Sequence, residues 1–248
     1  LWFALAILFT YFIGRKLYGW RAGLLAAFIF SFYPAVYLQS RTYYVDMALT
    51  AMVLISLYCL LRTDAFRRRR ASLVFGFALG LAALTKNAFI IMTIGPALAV
   101  AAIALASGGL TAWRQLLSWQ PGQRLQPQAG DLAQRLLNMA LAGVLVVLLA
   151  APWYLTHLGI LAFNAGEVTR DVHLASKPLI WYPLKFDEAL LIWPYLLLLV
   201  GLAVGLLRIR RHWFVLLWLV SGVAIITMVT RQNVRYLLPV MPAAALLS

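Results

Sequence analysis

The sequence is short of most residues that carry chemistry. Its one cysteine, Cys59, lies inside an apolar run, which excludes a disulfide and a cysteine-based metal site. Only seven acids stand against 21 Lys and Arg, giving a net charge of +14. Charge as a whole is scarce: 11% of residues are charged, 64% are apolar and the mean hydropathy is +0.89. A soluble domain is close to half apolar, so this composition excludes a water-facing globular surface. The basic residues are spread over short loops rather than gathered on one face, which argues against a nucleic-acid partner. A positively charged leader and a cleavage site are also lacking. The chain opens at Leu1 and stops at Ser248 inside apolar runs, so a piece of a longer protein is expected, with a helix and a loop preceding Leu1.

What is present is a series of apolar runs. About 20 apolar residues cross a bilayer as a helix, and nine candidates appear: 1–13, 22–40, 46–61, 71–85, 88–106, 136–154, 189–207, 213–230 and 236–248. Their lengths fit helices rather than barrel strands of roughly 10 residues. The expected fold is an all-α, polytopic transmembrane bundle forming a single domain. The runs 46–61 and 71–85 are short, so each should borrow a turn from its flanks or be shielded from lipid by protein.

The loops alternate in charge. One set carries Arg15, Lys16, Arg21, Arg62, Arg67 to Arg70, Arg114, Arg124, Arg135, Arg208, Arg210 and Arg211, opposed only by Asp64 and Asp131. Positive loops stay in the cytoplasm. The other set is mixed in sign, holds the remaining five acids and is expected to face outward. Two loops exceed a turn. Residues 107–135 are polar and rich in Gly, Pro and Gln, and read as a flexible cytoplasmic connector. Residues 155–188 mix Trp181, Tyr182 and Phe186 with charges and two histidines, and have enough apolar surface to fold over the outer face.

The outer set holds the candidate site. Asp46 opens a run beside Arg41; it is either a base or ligand oriented by that arginine, or a carboxylate favoured by a helix N-terminus. Lys86 stands between two apolar runs, where it is either a snorkelling side chain or a cation aimed at phosphate. Arg231, Arg235 and Tyr236 meet the interface together, as belt residues or as a phosphate grip. His173 is a solvated loop histidine or a metal or acid–base group; His157 and His212 are weaker candidates. Asp187 and Glu188 read as helix N-terminal charge. Together, cations and one carboxylate in a single interfacial layer suit a lipid-linked phosphate substrate. The span centres lack Asp, Glu, Lys and Arg, which disfavours ion transport.

The order of motifs is similar to that of the GT-C membrane glycosyltransferases. It runs from Gly14-Arg15-Lys16-Leu17-Tyr18-Gly19-Trp20-Arg21-Ala22-Gly23-Leu24 through Arg41-x4-Asp46, Leu84-Thr85-Lys86 and Ala151-Pro152-Trp153-Tyr154. His173 and Arg235-Tyr236-Leu237-Leu238-Pro239-Val240-Met241-Pro242 follow. Within that superfamily the chain resembles the protein O-mannosyltransferase and lipid A aminoarabinose transferase group.

The resemblance implies inverting transfer of a sugar from a polyprenyl-phosphate donor to a hydroxyl of a lipid, glycan or protein, at the outer face of the cell membrane. It implies Asp46 as the acidic position with Arg41 as its partner, and Lys86 and Arg235 at the donor phosphate. It further implies His173 at a divalent metal in some members, and no other cofactor. The acidic motif of the first outer loop would precede Leu1, and Asn87 stands where the family pattern has glycine. A transporter or flippase for a lipid-linked or anionic substrate is the alternative, and a non-catalytic membrane scaffold the third reading.

Overall fold

The computed structural model describes residues 1–42, 44–86, 88–117, 127–159, 185–186, 189–227 and 233–248. All regular structure among them is helical. We number the helices α1 (Trp2–Tyr18), α2 (Trp20–Ser31), α3 (Pro34–Ser40), α4 (Asp46–Arg62), α5 (Arg69–Thr85), α6 (Phe89–Ala106), α7 (Gly109–Leu117), α8 (Pro127–Thr156), α9 (Ile192–Leu207), α10 (Ile209–Thr227) and α11 (Met241–Leu247). A 3-10 segment, Val234–Val240, leads directly into α11.

Among the described residues, helix occupies most of each of the nine apolar runs, and clear full crossings number two or three. Within those same residues, α8 and α10 are long and apolar enough to span a membrane, joined by α2 with α3 if that pair, bent by 67°, counts as one. The helices α1, α4 and α5 have 17 residues each. At 1.5 Å per residue that is about 25 Å, short of a hydrocarbon core of about 30 Å. The bend falls where Pro34 starts α3, a position at which proline's missing N–H costs no helical bond.

The core is built around α4, whose residues are buried almost throughout, from Asp46 to Leu60. It packs against α1, α5, α6 and the 3-10 segment, and α5 packs in turn against α8. The two short runs solve their length differently. Protein surrounds α4, whereas α5 starts two residues early, at Arg69.

The outward surface is apolar: Leu24, Phe28, Phe32, Val147, Leu148, Trp193 and Val200 are all exposed. This is the pattern of a membrane protein, where lipid replaces water against the side chains. Several buried Ser and Thr hydroxyls are satisfied within their own helices. Thr10, Thr50, Ser56 and Thr93 each donate to the carbonyl four residues earlier, at 2.7 to 2.9 Å.

Two close approaches explain glycines. A Cβ on Gly14 would lie 2.6 Å from the Cα of Gly23, so the glycine-framed motif joining α1 to α2 is what lets their backbones touch. Where α5 crosses α8, a Cβ on Gly76 would lie 2.5 Å from the carbonyl oxygen of Ala142.

The 107–135 segment, read from the sequence as a flexible cytoplasmic connector, carries helix at both of its described ends, in α7 and in the first turns of α8. Ala112, Ala129 and Leu132 form a small buried cluster flanked by Trp113 and Leu136, and the Trp113 indole N–H donates to Leu105 O. Apolar contacts spaced for helices outweigh the breaker content.

The turn between α4 and α5 is also firmly held. Asp64, Ala65 and Phe66 have positive φ values of 54°, 50° and 63°, a conformation that costs non-glycine residues energy. Donors from α8 secure it: Arg135 bonds Ala65 O at 3.2 Å, and the Asn138 amide bonds Phe66 O at 2.7 Å. Arg135 is buried and bonds Asp131 at 2.9 Å.

Candidate functional site

Three chain segments deliver the site. The helices α4 and α5 are neighbours joined by the tight turn, so the start of one lies beside the end of the other. Asp46 is the first residue of α4 and Lys86 the residue after α5. Lys86 is extended, and its carbonyl accepts from Phe89 N–H at 3.0 Å as α6 begins. Arg235 comes from the 3-10 segment, whose start is capped by the Asn233 side chain accepting from the Arg235 N–H at 3.1 Å.

These parts meet on a carboxylate. Lys86 Nζ donates to Asp46 Oδ1 at 2.5 Å, and Arg235 Nε lies 3.9 Å from Oδ2. The Asp46 side chain is 4% exposed, against 30% and 28% for the two cations. A carboxylate so enclosed is tolerated only when paired, because desolvating a lone charge costs several kcal/mol. Arg235 Nε is buried and makes no hydrogen bond, which leaves one donor of the guanidinium uncommitted.

Tyrosines frame the cations. The Arg235 guanidinium sits 4.8 Å from the Tyr44 ring centre and 5.2 Å from that of Tyr236. Lys86 Nζ sits 5.3 Å from the Tyr236 ring. Arg235 Nη2 also donates to the Tyr236 hydroxyl at 3.4 Å. That bond, with Asp46 and Tyr44 nearby, raises the guanidinium above its ordinary range despite burial. A cavity of about 170 Å³ opens here, with Asp46, Lys86 and Tyr236 at its polar end and Leu49, Met92 and Ile226 as apolar walls. Two cations against one carboxylate leave the site a net positive charge.

Sequence expectation and geometry differ at Arg41. The structure does not bring it to Asp46. Its guanidinium lies 4.4 Å from the Tyr37 ring centre, on an exposed turn after α3. The carboxylate's partners are Lys86 and Arg235 instead.

Arg231 and His173 lie outside the described residues, as do Asn87, Asp187 and Glu188. His157 is stacked on Trp153 at 4.6 Å, and His212 meets the Tyr18 hydroxyl at 3.0 Å. No group of three or more His, Cys, Asp or Glu converges among the described residues. Among the described residues the cavity's single carboxylate, Asp46, is paired with cations rather than open to a metal.

Sequence reasoning missed Tyr44 and Tyr154. The first sits two residues before Asp46 and presents its ring to Arg235. The Tyr154 hydroxyl donates to Ala83 O at 3.0 Å, tying α8 to the last turn of α5 just before Lys86. Its place in the Ala151-Pro152-Trp153-Tyr154 motif was the only signal.

Comparison with known proteins bears out the GT-C resemblance. Residues 1–119 match the dolichyl-phosphate-mannose-protein mannosyltransferase family. That region includes Asp46 and Lys86 but not Arg235. Two crystal structures of ArnT from Cupriavidus metallidurans have the same fold. The one bound to undecaprenyl phosphate aligns with a TM-score of 0.69 at 19% identity, and the apo form with 0.66 at 16%. Both alignments cover 99% of this chain and 43% of the ArnT chain, so the sequence spans less than half the length of that protein. No curated protein sequence matches.

Proposed function

We propose that the chain forms part of a multi-pass cell-membrane glycosyltransferase. In this reading it moves a sugar from a polyprenyl-phosphate donor to a hydroxyl of a lipid, glycan or protein at the extracytoplasmic face, with inversion. The observation that carries the reading is the convergence of Lys86 and Arg235 on Asp46 at the polar end of an apolar-walled cavity. Such a site matches an amphiphile with an anionic head. The family match, and the undecaprenyl phosphate bound to ArnT, point the same way.

In this mechanism the donor phosphate meets Lys86 and the uncommitted Nε–H of Arg235, while Tyr236 keeps the two cations apart and oriented. The acceptor hydroxyl attacks the anomeric carbon and the glycosyl–phosphate bond breaks. Charge then develops on the departing phosphate, where preplaced cations stabilise it more than they stabilise the bound donor. Asp46 has one oxygen bonded to Lys86 and the other facing Arg235, which fits a residue that positions the cations better than one that takes the acceptor's proton. A base outside this triad then accepts that proton, and inversion follows from a single displacement. Roles for Arg41, Arg231 and, at a metal, His173 belong to the same proposal; the geometry adds no support to Arg41.

Among the described residues the transporter reading finds no polar path. The buried hydroxyls of Thr10, Thr50, Ser56 and Thr93 are turned onto their own helices. The test is sugar transfer by the full-length protein in membranes. Lys86→Ala and Asp46→Asn should each lower the rate at least about tenfold. Wild-type rates for both variants would sink the proposal.

A further inference from the structure

A second charged cavity lies at the opposite end of α4 and α5. It is a groove of about 560 Å³ where α4 ends and α5 begins, lined by Arg62, Arg68, Arg69 and Arg70 with Tyr58 and Val74. Sixteen helical steps of 1.5 Å separate Asp46 from Arg62, so the groove stands about 24 Å from the first site.

The charge in this groove is unbalanced. Arg67, the neighbour in sequence, turns to Asp131 at 3.5 Å and does not line it. The four lining arginines meet no carboxylate among the described residues. Arg62 instead donates to the Tyr58 hydroxyl at 3.0 Å. Four like charges on one groove repel each other, and an anion bound between them would relieve that repulsion. Guanidinium forks match phosphate oxygens bidentately. The frame is fixed, since Arg135 and Asn138 of α8 hold the turn that carries the arginines.

Below the arginines the surface becomes apolar along one line of α5. Val74, Phe77 and Leu81 follow Arg70 at steps of four, three and four residues, which places all of them on one helix face. Their exposures are 56%, 49% and 37%. A basic mouth above an exposed apolar strip fits a molecule with an anionic head and a hydrocarbon tail. From this we infer that the groove binds one anionic phospholipid, its phosphate among Arg62, Arg68, Arg69 and Arg70 and an acyl chain along Val74, Phe77 and Leu81. Basic pockets of this kind between helices suit lipid head groups.

The experiment is lipid retention by the full-length protein, purified in detergent, titrated with phosphatidylglycerol and read by native mass spectrometry. Replacing Arg68, Arg69 and Arg70 by Gln should weaken retention at least about thirtyfold, since each such arginine contributes roughly a fivefold effect. Replacing Arg208, Arg210 and Arg211 by Gln removes the same charge from the exposed start of α10 and should change retention less than about threefold. Phe77→Asn should weaken phosphatidylglycerol retention while leaving glycerol 3-phosphate binding as it was. Equal losses in the two triple variants would mean diffuse surface charge and overturn the inference. So would glycerol 3-phosphate displacing the lipid at equal concentration, or wild-type protein that retains no phosphatidylglycerol. If the Arg68–Arg70 variant does not fold, Arg70→Gln together with the wild-type competition by glycerol 3-phosphate decides.

Discussion

Lys86 Nζ and Asp46 Oδ1 stand 2.5 Å apart although 40 positions separate them in the chain. The contact joins the first residue beyond α5 to the first residue of α4 and closes the hairpin that the two helices make. It is at once a fold contact and the base of the candidate site, and the two roles can be measured separately.

A double-mutant cycle on this pair should show strong coupling. Removing one partner of a buried ion pair costs about 3–5 kcal/mol. Lys86 is 30% exposed, so water offsets part of that cost. Asp46→Asn, which strands two cations, should destabilise more than Lys86→Met. Thermal unfolding of both single variants and the double should yield a coupling energy between about 0.5 and 3 kcal/mol. Additive losses would mean that the pair contributes nothing as a pair.

Arg235→Lys keeps the charge but loses the planar fork lying between Tyr44 and Tyr236. Binding of undecaprenyl phosphate, followed by tryptophan fluorescence, should weaken about tenfold in that variant and further in Arg235→Gln. Equal affinity in wild type and Arg235→Lys would show that charge alone matters.

Gly76 and Gly143 offer a matched comparison across the α5–α8 interface. A methyl group on Gly76 would meet the Ala142 backbone at 2.5 Å, whereas one on Gly143 meets nothing within 4 Å. Gly76→Ala should cost about 1–3 kcal/mol by forcing the helices apart. Gly143→Ala should be neutral or stabilising by up to about 1 kcal/mol, since alanine is the better helix former. Denaturant unfolding in detergent reads both, and similar values for the two would contradict the close approach.

Asn138→Ala removes the amide that bonds Phe66 O at 2.7 Å in a turn with three positive-φ residues. A buried carbonyl left unpaired costs about 1–3 kcal/mol. Hydrogen exchange should accelerate at residues 63–68 before it changes elsewhere. Unchanged protection there would show that α8 does not hold the turn.

Much of the architecture was legible in the sequence. The apolar runs marked the helices, because a segment surrounded by lipid or protein must bond its own backbone. The alternating loop charges placed Asp46, Lys86 and Arg235 in one layer before any distance was known. Pairing within that layer was not legible. Arg41 lies five residues from Asp46 and looked like its partner, yet an exposed turn carries it onto Tyr37. The true partners come from distant segments, and only the packing of α4 against α5 and the 3-10 segment brings them in. The number of full crossings was obscured for a related reason. Composition marks which residues avoid water but not where a helix ends, so 17-residue helices and longer ones look alike.

The turn clamped by Arg135 and Asn138 has an effect at a distance. It acts as the zero mark of a ruler whose far end is read at Lys86. An α-helix advances 1.5 Å and rotates about 100° with each residue. One residue inserted within α5, between Gly76 and Thr85, would therefore swing Lys86 off the carboxylate and leave every side chain of the site unchanged in kind. The spacing of the candidate site is set on the opposite side of the membrane protein, where no substrate is expected.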